Sequence, residues 1–264
     1  EAFAGINNCQ VASDPADAAH GVEYLITMRP ESRHVEEVLF GEGGAVSRLP
    51  ANALAIEMST GDPAATIRIA EKLEETGHRM IDAPVGRTPA DAAAGNLLVL
   101  VGGEEDAVAD ARPVLSCRGS EVVHVGPPGS GIKLKIVNNY MSMVGMVMTA
   151  ETLMFARKLG LDRDTVVHVL QNTTAGRGQI NVNFPSKVLA GDVSADFPLR
   201  LGLKDISLAL DLAKSVGAPL SLGGVSREMF SLARSWGRSE QDCTAMLLLL
   251  EDIARCDSVD TPQG

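Results

Sequence analysis

Lys135, Asn138 and Asn139 stand in the stretch Gly129-Ser130-Gly131-Ile132-Lys133-Leu134-Lys135-Ile136-Val137-Asn138-Asn139-Tyr140-Met141, where a glycine-rich turn runs into an apolar, helix-like pattern. Lys135 and Asn139 are four residues apart, so on a helix they share one face, with Asn138 close beside them. A cleft lined by that face would offer an ammonium and two amides to one small, oxygen-rich substrate. An ammonium is protonated at neutral pH and can hand its proton to an alkoxide as it forms. The same residues would also suit a solvated lysine and two capping asparagines. A second cluster, Gly86-Arg87-Thr88, sets a guanidinium beside a hydroxyl, and that pairing can grip an anion. The competing partner for Arg87 is a neighbouring acid such as Asp91.

The elements that must position these groups belong to an ordinary globular chain. Its 264 residues are 45% hydrophobic and 22% charged, enough for two domains or one large one. A net charge of -11 argues against nucleic acid or an anionic membrane surface as the main partner, and leaves a small molecule. Cys9, Cys117, Cys243 and Cys256 form no Cys-x-x-Cys pair and read as reduced thiols of a cytoplasmic protein. The histidines are dispersed, without ligand spacing, so no metal is expected. Apolar runs such as Leu97 to Val101 and Met246 to Leu250 are far too short to span a bilayer.

Along the chain, Ser13 or Asp14 caps a first helix with Pro15 in its first turn, and Val22 to Met28 is a strand. A helix follows to about Phe40, closed by the Gly41 to Gly44 cluster. Then come the strand Ala53 to Met58, an amphipathic helix from Ala64 to Thr76, and the strand Arg79 to Ala83. The small-residue segment Asp91 to Gly95 leads to the strand Asn96 to Val101, the helix Glu104 to Leu115 and the strand Glu121 to Val125. Strands alternating with helices imply a sheet of parallel character in an α/β, doubly wound fold. After Gly126-Pro127-Pro128-Gly129 strands cease, which divides the chain into residues 1–128 and an all-α domain, 129–264. The second part opens with a helix from Ile132 to Lys158, apolar almost all round and rich in methionine, suited to a core or a subunit contact. A helix capped by Asp162 or Asp164 runs to Leu170, and Leu199 to Val216 and Val225 to Trp236 are further helices.

Four stretches in this order and spacing resemble the β-hydroxyacid dehydrogenases, the 3-hydroxyisobutyrate dehydrogenase-like enzymes. They are the strand-end Ser59-Thr60, Asp82-Ala83-Pro84-Val85-Gly86-Arg87-Thr88, Gly129-x-Gly131-x-x-x-Lys135-x-x-x-Asn139, and Lys204-Asp205. The resemblance implies a Rossmann-like domain joined by a long helix to an all-helical one, NAD or NADP as cofactor, and a homodimer or homotetramer. It also implies Lys135 as catalytic acid/base, Asn139 with Asn138 as substrate-orienting amides, and Met28, Pro30, Ser59, Thr60 and Lys204 as cofactor contacts.

Two departures from that family refine the expectation. Relatives read Ser-Gly-Gly where this chain has Gly86-Arg87-Thr88, and a guanidinium there suits a sulfonate, so these residues resemble the 3-sulfolactaldehyde reductase branch. Gly86, Arg87 and Thr88 are then substrate-binding residues. The family's opening strand and Gly-x-Gly-x-x-Gly are not in the sequence; an incomplete nucleotide-binding domain, short of its first βαβ unit, is the expectation. The competing readings are a 3-hydroxyisobutyrate, tartronate semialdehyde or succinic semialdehyde/4-hydroxybutyrate dehydrogenase, a decarboxylating sugar-acid dehydrogenase, and a non-catalytic binding or assembly relative.

Overall fold

The computed structural model describes residues 9–255, together with Gly5. It divides into two compact units, Glu1–Ser142 and Met143–Gly264. The division falls inside the long helix, whereas the composition changes at residues 126–129, because composition marks where the helix begins and compactness marks where its residues join a different set of helices.

The first unit contains α1 (Pro15–Ala19), β1 (Tyr24–Thr27), α2 (Ser32–Phe40), β2 (Leu54–Glu57), α3 (Pro63–Glu75), β3 (Arg79–Asp82), β4 (Val85–Gly86), α4 (Pro89–Ala93), β5 (Leu97–Gly102), α5 (Glu105–Ser116) and β6 (Gly119–Gly126), and the start of α6 (Ser130–Lys158). Of the two candidate caps for α1, Asp14 is the one used. Asp14 accepts the backbone N–H of Asp17, and Asp62 accepts those of Ala64 and Ala65 with Pro63 in the first turn of α3.

The sheet has the order β1-β2-β3-β5-β4, with β6 paired to β5. β1, β2 and β3 run parallel, as do β5 and β6, but β5 lies antiparallel to β3 and β4. The expected parallel character therefore holds within each set of strands, while β5 runs against β3 and against the short strand β4, which the sequence reading passed over. Two residues of strand are too few to show an alternating pattern.

Alternation in β1 to β3 gives the sheet two covered faces. Leu25, Ala55 and Met80 pack with Val35 and Leu39 of α2 and Ile69 and Leu73 of α3. Leu54, Ile56, Ile81, Val99 and Val101 pack with Ala107, Val108, Ala111 and Leu115 of α5. In register, Thr27 pairs with Glu57 and Glu57 with Asp82. These three share the parity of Leu25, Ala55 and Met80, so the apolar face ends in a polar row where the parallel strands end.

The second unit holds the rest of α6 with α7 (Arg163–Asn172), α8 (Thr174–Arg177), α9 (Gln179–Val182), α10 (Leu199–Ser215), α11 (Ser221–Ser235) and α12 (Met246–Ala254). Asp162 is the cap of α7, accepting the N–H of Thr165. Leu199, Ala233, Ala245 and Leu249 form a core with Met229, Phe230 and Leu232 packed against it. The buried carboxylate of Asp242 ties the entry of α10 to that of α12, accepting N–H groups from Asp196, Phe197 and Thr244. None of the described helices is long and apolar enough to cross a membrane. Cys9, Cys117 and Cys243 are free thiols; Cys256 lies outside the described residues.

Candidate active site

The ends of β3, β5 and β6 converge on the first turn of α6. Asp82 pairs in register with Gly102, and Gly102 with Gly126. Gly129 enters the turn at φ 86°, a left-handed conformation that favours glycine, and a side chain there would press on Ile67. One turn further, Lys135 is half-buried, and burial pushes its ammonium below the ordinary lysine range. Asn139 lies one turn beyond it, also half-buried, while the exposed Asn138 donates from Nδ2 to Asn139 Oδ1 at 3.2 Å. The helical spacing thus carries the ammonium and the amides together, as expected.

The polar row at the ends of β1 and β2 organises two loops. The carboxylate of Glu57 accepts the Thr27 hydroxyl and the Ser59 N–H. Ser59 Oγ in turn accepts the N–H of Arg29 at 2.8 Å. One buried side chain therefore fastens the segment Met28-Arg29-Pro30 to the segment Ser59-Thr60. Met28, Pro30 and Thr60 are exposed, whereas Ser59 is buried and serves the joint itself. Sequence reasoning missed Glu57; an acidic residue ending an otherwise apolar strand was the available signal.

Glu57 also gives a testable pH dependence. Burial, reinforced by the nearby Asp82, pushes its carboxyl above the usual range against the hydrogen bonds from Ser59 and Thr27. A group whose pKa is raised by folding contributes stability that is present below its unfolded pKa, about 4.3, and lost as pH rises through the folded value. Glu57→Gln keeps an acceptor but cannot ionise. The Tm of Glu57→Gln relative to the parent should therefore rise between pH 4.5 and 7.5, by about 2–4 °C for each 1 kcal/mol. Thermal unfolding of both proteins at the two pH values checks this, and a difference that does not change with pH counts against a perturbed Glu57.

The Gly86-Arg87-Thr88 cluster has partners of its own within the sheet. Gly86 is a strand residue paired with Leu98. Arg87 Nη1 donates to the Asn96 carbonyl at 2.7 Å, to Asn96 Oδ1 at 3.1 Å and to Ser120 Oγ at 2.7 Å, and Nη2 lies 3.7 Å from Glu121. Asp91 is instead held by Thr88, whose hydroxyl and N–H both reach its carboxylate in a capping box at the start of α4. Arg87 is thus braced on Asn96 and Ser120, with Nη2 near Glu121, and Thr88 is a helix cap. Arg87 sits at φ 76°, a backbone conformation that glycine adopts readily and a β-carbon resists. Lys204 belongs to the second unit, where it is exposed and 3.0 Å from Asp205.

Comparison with known proteins places the chain in a family. The family described as the NAD binding domain of 6-phosphogluconate dehydrogenase matches residues 2–126, and that described as NAD-binding of NADP-dependent 3-hydroxyisobutyrate dehydrogenase matches residues 129–250. A 3-sulfolactaldehyde reductase of Escherichia coli (strain K12) is 43% identical over 236 residues, covering 89% of this chain and 79% of that protein. The mitochondrial 3-hydroxyisobutyrate dehydrogenase of Homo sapiens is 34% identical over 250 residues, covering 92% and 74%. In fold, the imine reductase from Myxococcus stipitatus solved in complex with NADP+ superposes with a TM-score of 0.85 at 16% identity, covering 94% of this chain and 87% of that one. The chain belongs to the 3-hydroxyisobutyrate dehydrogenase family of NAD(P)-dependent oxidoreductases.

Proposed function

We propose that the protein reduces a small anionic aldehyde to the corresponding alcohol, with 3-sulfolactaldehyde as substrate and 2,3-dihydroxypropane-1-sulfonate as product. The observation that carries the sulfonate reading is Arg87, a charged residue kept in a backbone conformation suited to glycine. Backbone strain of this kind costs on the order of 1–3 kcal/mol and persists where something else requires the residue. The identity to a 3-sulfolactaldehyde reductase supports the same choice.

The chain's residues fit the nicotinamide end of the cofactor, since Glu57 fixes two loops at the ends of parallel strands and leaves Met28, Pro30 and Thr60 exposed beside them. Those residues, with Ser59 behind them, would hold it. When bound, NAD(P)H supplies the hydride that reaches the carbonyl carbon. Lys135 then gives its proton to the carbonyl oxygen as negative charge develops there, and Asn139 donates a hydrogen bond to the same oxygen. Arg87, braced on Asn96 and Ser120 with Nη2 3.7 Å from Glu121, would give charge-assisted hydrogen bonds to the anionic end, together with Thr88 and Asn138. Holding a three-carbon substrate at both ends sets the attack geometry.

Steady-state reduction of 3-sulfolactaldehyde and of succinic semialdehyde, with NADH and with NADPH, tests the assignment. A higher kcat/KM on the sulfonate is expected; a preference for succinic semialdehyde would move the protein to the carboxylate enzymes of the same family.

The reading extends to assembly as a homo-oligomer. Met143, Met146, Val147 and Met148 on α6 are exposed, a run of apolar surface that a second copy would cover. Val147→Glu should lower the mass seen by analytical ultracentrifugation to that of a single chain, whereas an unchanged mass would place the subunit contact elsewhere.

A further inference from the structure

We propose that Asp82 is the positioning residue of Lys135, fixing the ammonium at the site by holding the first turn of α6; this rests on the reading of Lys135 as the proton donor. Asp82 ends β3 and is only 2% exposed. Its Oδ1 accepts the N–H of Gly129 at 2.6 Å and its Oδ2 accepts that of Ile132 at 2.8 Å. These N–H groups open the helix and have no acceptor within it, so a side chain from the sheet supplies what the helix lacks. An anion at a helix N-terminus is also favoured by the helix dipole.

The surrounding glycines fit this purpose. A β-carbon on Gly102 would collide with Asp82 Oδ1, and one on Gly131 would collide with the Leu100 carbonyl and lie 2.9 Å from Asp82 Oδ2. The Gly129-x-Gly131 turn therefore lets α6 come down onto the carboxylate and the end of β5. Lys135 follows Ile132 by three residues, about 4.5 Å along the axis. Among the described residues no salt bridge involves Lys135, so the seating of the helix sets where its ammonium stands.

Two bonds from two carboxylate oxygens require a carboxylate. Asn at this position would present one acceptor and one N–H group, and the latter would oppose a backbone N–H of the turn. A shift of about 1 Å in a reacting group can cost 100-fold in rate. Asp82→Asn is therefore expected to lower kcat for aldehyde reduction about 10- to 100-fold, with KM and the Kd for NADH changed less than about threefold.

The discriminating experiment is a double-mutant cycle on the purified full-length enzyme, with kcat, KM and NADH affinity measured for parent, Asp82→Asn, Lys135→Ala and the double variant. If Asp82 acts through Lys135, the double variant turns over no more slowly than Lys135→Ala alone. Multiplied losses, or an Asp82→Asn enzyme with parent kcat, overturn the proposal. Lys135→Ala with parent kcat instead refutes the proton-donor reading, a separate outcome. Gly131→Ala, which lifts the same turn while leaving the carboxylate in place, runs in a parallel cycle, so the result does not hang on the folding of one variant.

Discussion

Lys135→Ala should lower kcat for aldehyde reduction about 100-fold or more, the usual scale for a positioned acid, while leaving NAD(P)H affinity close to that of the parent. The helix should persist, because alanine is the best helix former and the seating of α6 depends on Asp82 and the glycines before it. The pH profile identifies the role. Burial lowers the Lys135 pKa from its ordinary value of about 10.4, and reduction needs the protonated form. The parent rate should therefore fall as pH rises through that lowered pKa, and the limb should be missing in Lys135→Ala. Lys135→Arg tests charge against proton transfer, since a guanidinium stays protonated and cannot release the proton. An arginine variant as slow as the alanine one makes Lys135 an acid; an alanine variant with parent turnover would reduce it to a solvated lysine.

Much of this site was legible because its chemistry lies on regular elements. The four-residue spacing of Lys135 and Asn139 needs only helical geometry to bring them together, and the helix forms as that spacing requires. Alternation and cap residues likewise located β1 to β3 and α3 to within a few residues. What the sequence could not display depends on register between strands. Thr27, Glu57 and Asp82 are about 25 to 30 residues apart in sequence, and only the pairing of β1, β2 and β3 sets them side by side. The same limit applies to Arg87. Its partners Asn96 and Ser120 come from across β5 and β6, and its left-handed backbone follows from the turn after β4. A guanidinium reads from sequence as a fork of donors for an anion, whereas the fold sets Nη1 on Asn96 and Ser120 and Nη2 near Glu121.

That bracing makes Arg87 the residue whose replacement separates fold from selectivity. Arg87→Ala should lower kcat/KM on 3-sulfolactaldehyde about 30-fold to several thousand-fold, because an anion left under-coordinated in a partly desolvated cleft costs roughly 2–5 kcal/mol. The loss on succinic semialdehyde should be smaller, so the preference narrows or reverses. Arg87→Lys restores charge but can neither span Asn96 and Ser120 nor keep two donors in one plane, and should recover only part of the activity. The informative companion is Arg87→Gly. Glycine relieves the backbone at φ 76°, offsetting by about 1 kcal/mol the bonds lost to Asn96 and Ser120, so its Tm should stay at or above that of Arg87→Ala. Its sulfonate activity should nevertheless fall as far as that of the alanine variant. If Arg87→Gly keeps the parent's preference for sulfonate over carboxylate, the guanidinium is a brace for β5 and β6 alone, and selectivity must be sought among Asn138, Asn139 and their neighbours on α6.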